Sequence, residues 1–117
     1  MRFAARLVLM AALAACQPAT EPSDSPSFTG SIVARDVRIS IGGPPTIHVK
    51  ETESAECGVI FLVTDSTPIV RREANGRRVS VSVSELTVGR RVAVWTDVVM
   101  ESCPGQAAAH FVELLES

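Results

Sequence analysis

The sequence predicts an all-β domain: a small closed or nearly closed barrel of roughly five to seven short strands. Three observations carry this. Val79, Val81 and Val83 alternate with Ser80, Ser82 and Ser84, the period of a strand with one buried face. Val59-Ile60-Phe61-Leu62-Val63 is a continuous apolar run between polar residues, which fits a central strand covered on both faces. Gly42-Gly43-Pro44-Pro45, Asn75-Gly76 and Pro104-Gly105 punctuate the chain with turns, and no stretch before residue 107 has a helical period.

The first elements lie outside the barrel. Residues 1–15 carry two charges, Arg2 and Arg6, in an otherwise apolar stretch. A basic start followed by a short apolar run is the layout of an export signal. Leu7–Ala15 is too short to cross a bilayer, which takes about 20 helical residues. Leu13-Ala14-Ala15-Cys16 resembles a lipobox, the site at which bacterial lipoprotein precursors are cut and their cysteine lipidated. The resemblance implies that residues 1–15 are a signal peptide and that Cys16 carries the lipid. It also implies a cell-envelope location, with Gln17 favouring the outer membrane, facing the periplasm, if the organism is diderm. Residues 16–27, rich in proline and serine, read as the lipidated cysteine and a flexible tether.

The barrel domain is expected over residues 28–117. In Thr29–Ile41 the apolar parity changes around Arg35-Asp36, which predicts one long strand with a bulge or bend. Thr46–Lys50 alternates, with Ile47 and Val49 inward. Glu51–Glu56 is an acidic loop, and Cys57–Thr64 holds the central strand. Asp65–Pro68 turns the chain into a short strand at Ile69–Arg72, and Asn75-Gly76 marks a hairpin to the alternating strand ending near Val83. Leu86–Gly89 is a turn before the strand Arg90–Thr96, which Val98–Met100 extends after a kink. Ala107–Leu115 fits helix and strand patterns about equally and is assigned to a closing strand. Ile32, Ile60, Leu62, Val81 and Val94 are expected in the core.

Composition excludes some functions. Without residues 1–15 the chain has formal charge −4, against −2 for the whole sequence. An acidic chain with 4% aromatic residues and no Tyr gives no electrostatic or stacking case for nucleic-acid binding. If Cys16 is the lipid anchor, Cys57 and Cys103 remain, and export places them where a disulfide persists. The chain-entropy model gives such a bridge about 4 kcal/mol.

No catalytic set emerges. His48 with Glu51, Glu53 and Glu56 could offer an imidazole and carboxylates to a metal, but nothing in the spacing forces them to converge. The simpler reading is a solvated acidic loop beside an exposed histidine. No serine or cysteine has an evident base, so an enzyme, a metal or a cofactor is not expected. Arg71, Arg72, Arg77 and Arg78 flank Asn75-Gly76 and should meet across one hairpin. They could bind an anionic ligand, or they could be solvated charges that blunt a sheet edge.

Several short motifs resemble OB-like domains: Gly30-Ser31-Ile32, Asp65-x-Thr67-Pro68-Ile69, Leu86-x-x-Gly89-x-x-Val92-x-Val94-Trp95 and Ser102-Cys103-Pro104-Gly105-Gln106. They look most like small uncharacterised bacterial lipoproteins of the YobA-like kind. The resemblance implies an OB-like barrel of five to six strands and brings no established activity. The expected function is a non-catalytic binding or structural module, held to the membrane by its N-terminal lipid and facing an envelope protein. The alternative is an anion- or small-ligand-binding protein using the arginine hairpin.

Overall fold

The computed structural model describes Pro22, residues 24–52 and residues 54–115. The expected signal peptide, Cys16, Gln17 and Glu53 lie outside the described residues. Eight strands form one mixed sheet: β1 (Phe28–Arg35), β2 (Thr46–Lys50), β3 (Val59–Leu62), β4 (Ile69–Arg72), β5 (Arg78–Ser80), β6 (Arg91–Trp95), β7 (Gly105–Ala108) and β8 (Phe111–Leu115). A three-residue 3₁₀ turn, Val83–Glu85, is the only helical element among the described residues.

The hydrogen-bonded order is β5-β4-β8-β6-β1-β2-β3-β7, with no ladder between its ends. The sheet nevertheless curls back on itself, because β7 and β8 are two segments of one path. Ala109 donates to the Leu62 carbonyl beyond β3 (2.9 Å), and His110 donates to the Trp95 carbonyl of β6 (2.7 Å). On one edge of this path run β3 and then β4, both parallel to it; on the other runs β6, antiparallel to β8. With the β1-β2-β3 meander and the β1–β6 pairing, five paths complete a ring through the chain, and β5 adds to β4 outside it. The all-β expectation holds, but the sheet has eight strands rather than the five to six expected, and it stays open between β5 and β7.

Local chemistry explains why β3 and β4 stay on one edge. Thr67 Oγ1 accepts from the Thr64 N–H (3.0 Å) and donates to the Ala109 carbonyl (3.1 Å), pinning the Asp65–Pro68 turn to the closing path. The Pro68 carbonyl then accepts from Val112 (3.0 Å). Gly30 is required where β1 crosses β2, since a Cβ there would run into the Lys50 carbonyl. The interior holds Ile32, Ile47, Val49, Phe61, Val94, Val112 and Leu114, and Phe28 meets Phe61 edge to face at 5.9 Å. Each such aliphatic or aromatic side chain contributes about 1.5–3 kcal/mol when fully buried.

Four expectations need correction. β1 ends at Arg35 rather than running to Ile41. Asp36 adopts φ 58°, a left-handed conformation that Asp tolerates better than most residues, and Ile39 and Gly42 then bond each other in a tight turn. The Val79–Val83 alternation does not make a strand throughout: β5 stops at Ser80, and Ser82 Oγ caps the Ser84 N–H (3.3 Å) to start the 3₁₀ turn. Ile60 is buried as expected but outside the main cluster, whereas Leu62 is only half-buried and lies against Gly42. Leu86, expected only as a turn residue, is fully buried in the core. Ala107–Leu115 is strand, as assigned.

Candidate functional site

Three groups of residues could carry a function, and the fold places them differently. The first is the arginine hairpin. The β4–β5 pairing sets Arg72 opposite Arg78 and Arg71 opposite Val79. Their outer neighbour on β8 is Glu113, only 5% exposed, which sits across from Val70. Arg72 Nε lies 3.3 Å from one Glu113 oxygen, and Arg78 Nε 3.1 Å from the other. Arg71 pairs with Glu85 at 3.5 Å. Arg77 donates its backbone N–H to Asn75 Oδ1 (2.9 Å). An incoming anion would thus compete with carboxylates that already hold three of the four guanidinium groups.

Sequence reasoning missed Glu113. Its signal was a lone carboxylate in Phe111–Leu115, at the outward parity of a closing strand. Its arginine partners lie 41 and 35 residues earlier, so only the pairing of β8 with β4 reveals the contact.

The second group is His48 and the acidic loop. His48 Nε2 bonds the Cys57 carbonyl at 2.8 Å, which ties β2 to the start of β3. Glu51 and Glu56 are exposed. Among the described residues, no three His, Cys, Asp or Glu side chains are placed to hold a metal ion.

The third group is built by two loops, 36–45 and 96–104. Cys57 and Cys103 are joined in a disulfide that fixes the base of the second loop to β3. Gln106 Oε1 accepts from Ser40 Oγ (2.6 Å) and from the Ser40 N–H (3.0 Å), locking the first loop to β7. Met100 and Gln106 exchange backbone hydrogen bonds, and Met100 Sδ lies 3.9 Å from Ser40 Oγ. This framework holds apolar side chains in the open: Ile41 is 42% exposed, Val98 77%, Val99 39% and Met100 44%. Beside it lies a cleft of about 280 Å³ between Asp24, Ser27, Trp95, Asp97 and His110. Trp95 stacks edge-on against Phe111 at 5.4 Å, and His110 faces Asp97 at 3.3 Å. A fixed framework with exposed apolar tips can bind a surface.

A family model described as a protein of unknown function (DUF3221) matches residues 50–116, more than half of the chain. The chain belongs to the DUF3221 family. No curated protein and no solved structure matches it. The DUF3221 match starts at the last residue of β2. It takes in the disulfide, the arginine hairpin, Glu113 and the 96–104 loop, and leaves β1 and the 36–45 loop outside. Among the described residues of this DUF3221 chain, no helix is long and apolar enough to cross a membrane.

Proposed function

We propose that the protein is a lipid-anchored cell-envelope module that binds or braces another envelope molecule without catalysis. The observation that carries this reading is the pair of loops stapled by Cys57–Cys103 and by Ser40–Gln106, with Ile41, Val98, Val99 and Met100 exposed on them. Exposed apolar side chains grouped on a rigid frame mark interaction surfaces more often than isolated ones do. The lipobox-like Leu13–Cys16 supports the anchor, Gln17 supports the outer membrane, and the disulfide fits an oxidising compartment such as the periplasm. The likeness to YobA-like lipoproteins points the same way. The anion-binding reading has weaker support, since an anion would have to compete with Glu113 and Glu85 for Arg72, Arg78 and Arg71.

The test combines acyl labelling with crosslinking. The wild-type chain should incorporate labelled palmitate, and a photo-reactive residue at Ile41 should give discrete crosslinked products in intact envelopes. Cys16→Ser should lose both the label and the products. Palmitate uptake by Cys16→Ser would remove the anchor from the account.

A further inference from the structure

The 96–104 loop does not merely share the barrel with the tether; the two leave it side by side. Trp95 Nε1 donates to the Asp24 carbonyl (3.0 Å), and Ser27 donates its backbone N–H to the Val94 carbonyl (2.9 Å). Ser27 Oγ also donates to the Thr96 carbonyl (3.0 Å) and accepts from the Thr96 N–H (3.1 Å). From Asp24 onward the chain is therefore bolted to β6. Val98, the most exposed large apolar residue of the structure, follows Thr96 by two positions.

We propose that this end of the barrel rests on the bilayer, with Val98, Val99 and Met100 in the headgroup region. The inference rests on the anchor reading above and names the partner of the loop surface. With Cys16 in the membrane, eight residue steps reach Asp24, and full extension allows about 28 Å. The surface beside that short leash carries Val98, Val99 and Met100, three of the exposed large apolar residues among those described. Such a tether keeps the local concentration of lipid high, so a contact of three side chains suffices without strong intrinsic affinity.

Charge selects the lipid. Asp24, Asp97 and Glu101 are exposed around the loop, and the chain from Cys16 onward is acidic. An anionic surface would repel this end, so the contact suits zwitterionic headgroups. Arg38, exposed on the neighbouring 36–45 loop, is outnumbered by these carboxylates, and the arginines of the hairpin lie elsewhere. Phe111 of β8 pairs with Trp95, whereas Arg71 pairs with Leu114 near the other end of that strand, and the hairpin turn continues beyond it.

The experiment uses the full-length lipidated protein in phosphatidylethanolamine/phosphatidylcholine vesicles with bromine in the upper acyl chains. Flotation with the vesicles reports the anchor. Tryptophan quenching, corrected for native Trp95 with wild-type protein, reports the contact in Val98→Trp and in Arg77→Trp as the control. Both variants should float and melt as wild type does. The Val98→Trp probe should be quenched at least twofold more than the Arg77→Trp probe, and replacing a third of the lipid with phosphatidylglycerol should reduce that difference. Equal quenching in floating protein would overturn the proposal while leaving the anchor intact. Failure to float would overturn the anchor reading, and this contact with it. Stronger quenching on phosphatidylglycerol would overturn the choice of a zwitterionic surface.

Discussion

At the hairpin end of the barrel, Arg72 and Arg78 converge on Glu113 and Arg71 meets Glu85. At the tether end, Val98, Val99 and Met100 stand open to solvent on a loop held by Cys57–Cys103. The first end is rich in charge, but the fold supplies much of the countercharge. The second is modest in sequence, and the fold fixes it without covering it. Counting charges in a sequence therefore misses the countercharge that the fold supplies. What marks a surface as available is what remains unmatched after folding.

The comparison can be broken most sharply at the disulfide. Cys57→Ala with Cys103→Ala should lower stability by about 2–5 kcal/mol in denaturant unfolding. Backbone amides of 97–104 should exchange faster, while those of the hairpin stay protected. A loss below about 1 kcal/mol, with unchanged exchange in the loop, would mean that the tether end is held by other contacts.

Glu113→Gln tests the other end. It removes the carboxylate that Arg72 and Arg78 share, and thermal or chemical unfolding should show a loss of about 1–3 kcal/mol. The lower half of that range is expected, because Arg72 is 47% exposed and can turn to solvent. Replacing Arg71, Arg72, Arg77 and Arg78 together by Ser should likewise destabilise, since it strands a buried carboxylate. If the quadruple variant unfolds at the wild-type midpoint, Glu113 is not matched by these arginines.

The smallest effects sharpen the contrast. Arg71→Ser removes an ion pair with both side chains about two-fifths exposed and should change stability by no more than about 0.5 kcal/mol. Val98→Asp should be equally mild in unfolding, because Val98 gives little area to the core. Its consequence should appear at the surface instead, as weaker quenching of Trp95 by brominated zwitterionic vesicles in protein that still floats.

Much of the barrel was legible because strand alternation is local. Ile47, Val49, Val92 and Val94 show their inward parity within a few residues, and all four are buried. The disulfide was legible from cysteine arithmetic once Cys16 was set aside as the expected lipid anchor. The misreadings have local causes that alternation does not encode: the left-handed Asp36 ends β1, and the Ser82 cap ends the valine-serine strand. Ile60 and Leu62 have the parity opposite to Val59 and Phe61, which the unbroken apolar run of their strand does not reveal. Leu62 faces a loop whose path depends on Gly42 and Ser40, residues distant in sequence. The site was less legible than the fold. Glu113 gains its meaning from partners 35 and 41 residues away, and the apolar loop from its adjacency to Ser27.

The central claim is that the working surface lies at the tether end and not at the arginine hairpin. Photo-reactive residues placed singly at Met100 and at Arg77 of the full-length chain, irradiated in intact envelopes, compare the two ends directly. The account predicts crosslinks to lipid or to a discrete envelope component from Met100 and background labelling from Arg77. Discrete products from Arg77 with none from Met100 would contradict it.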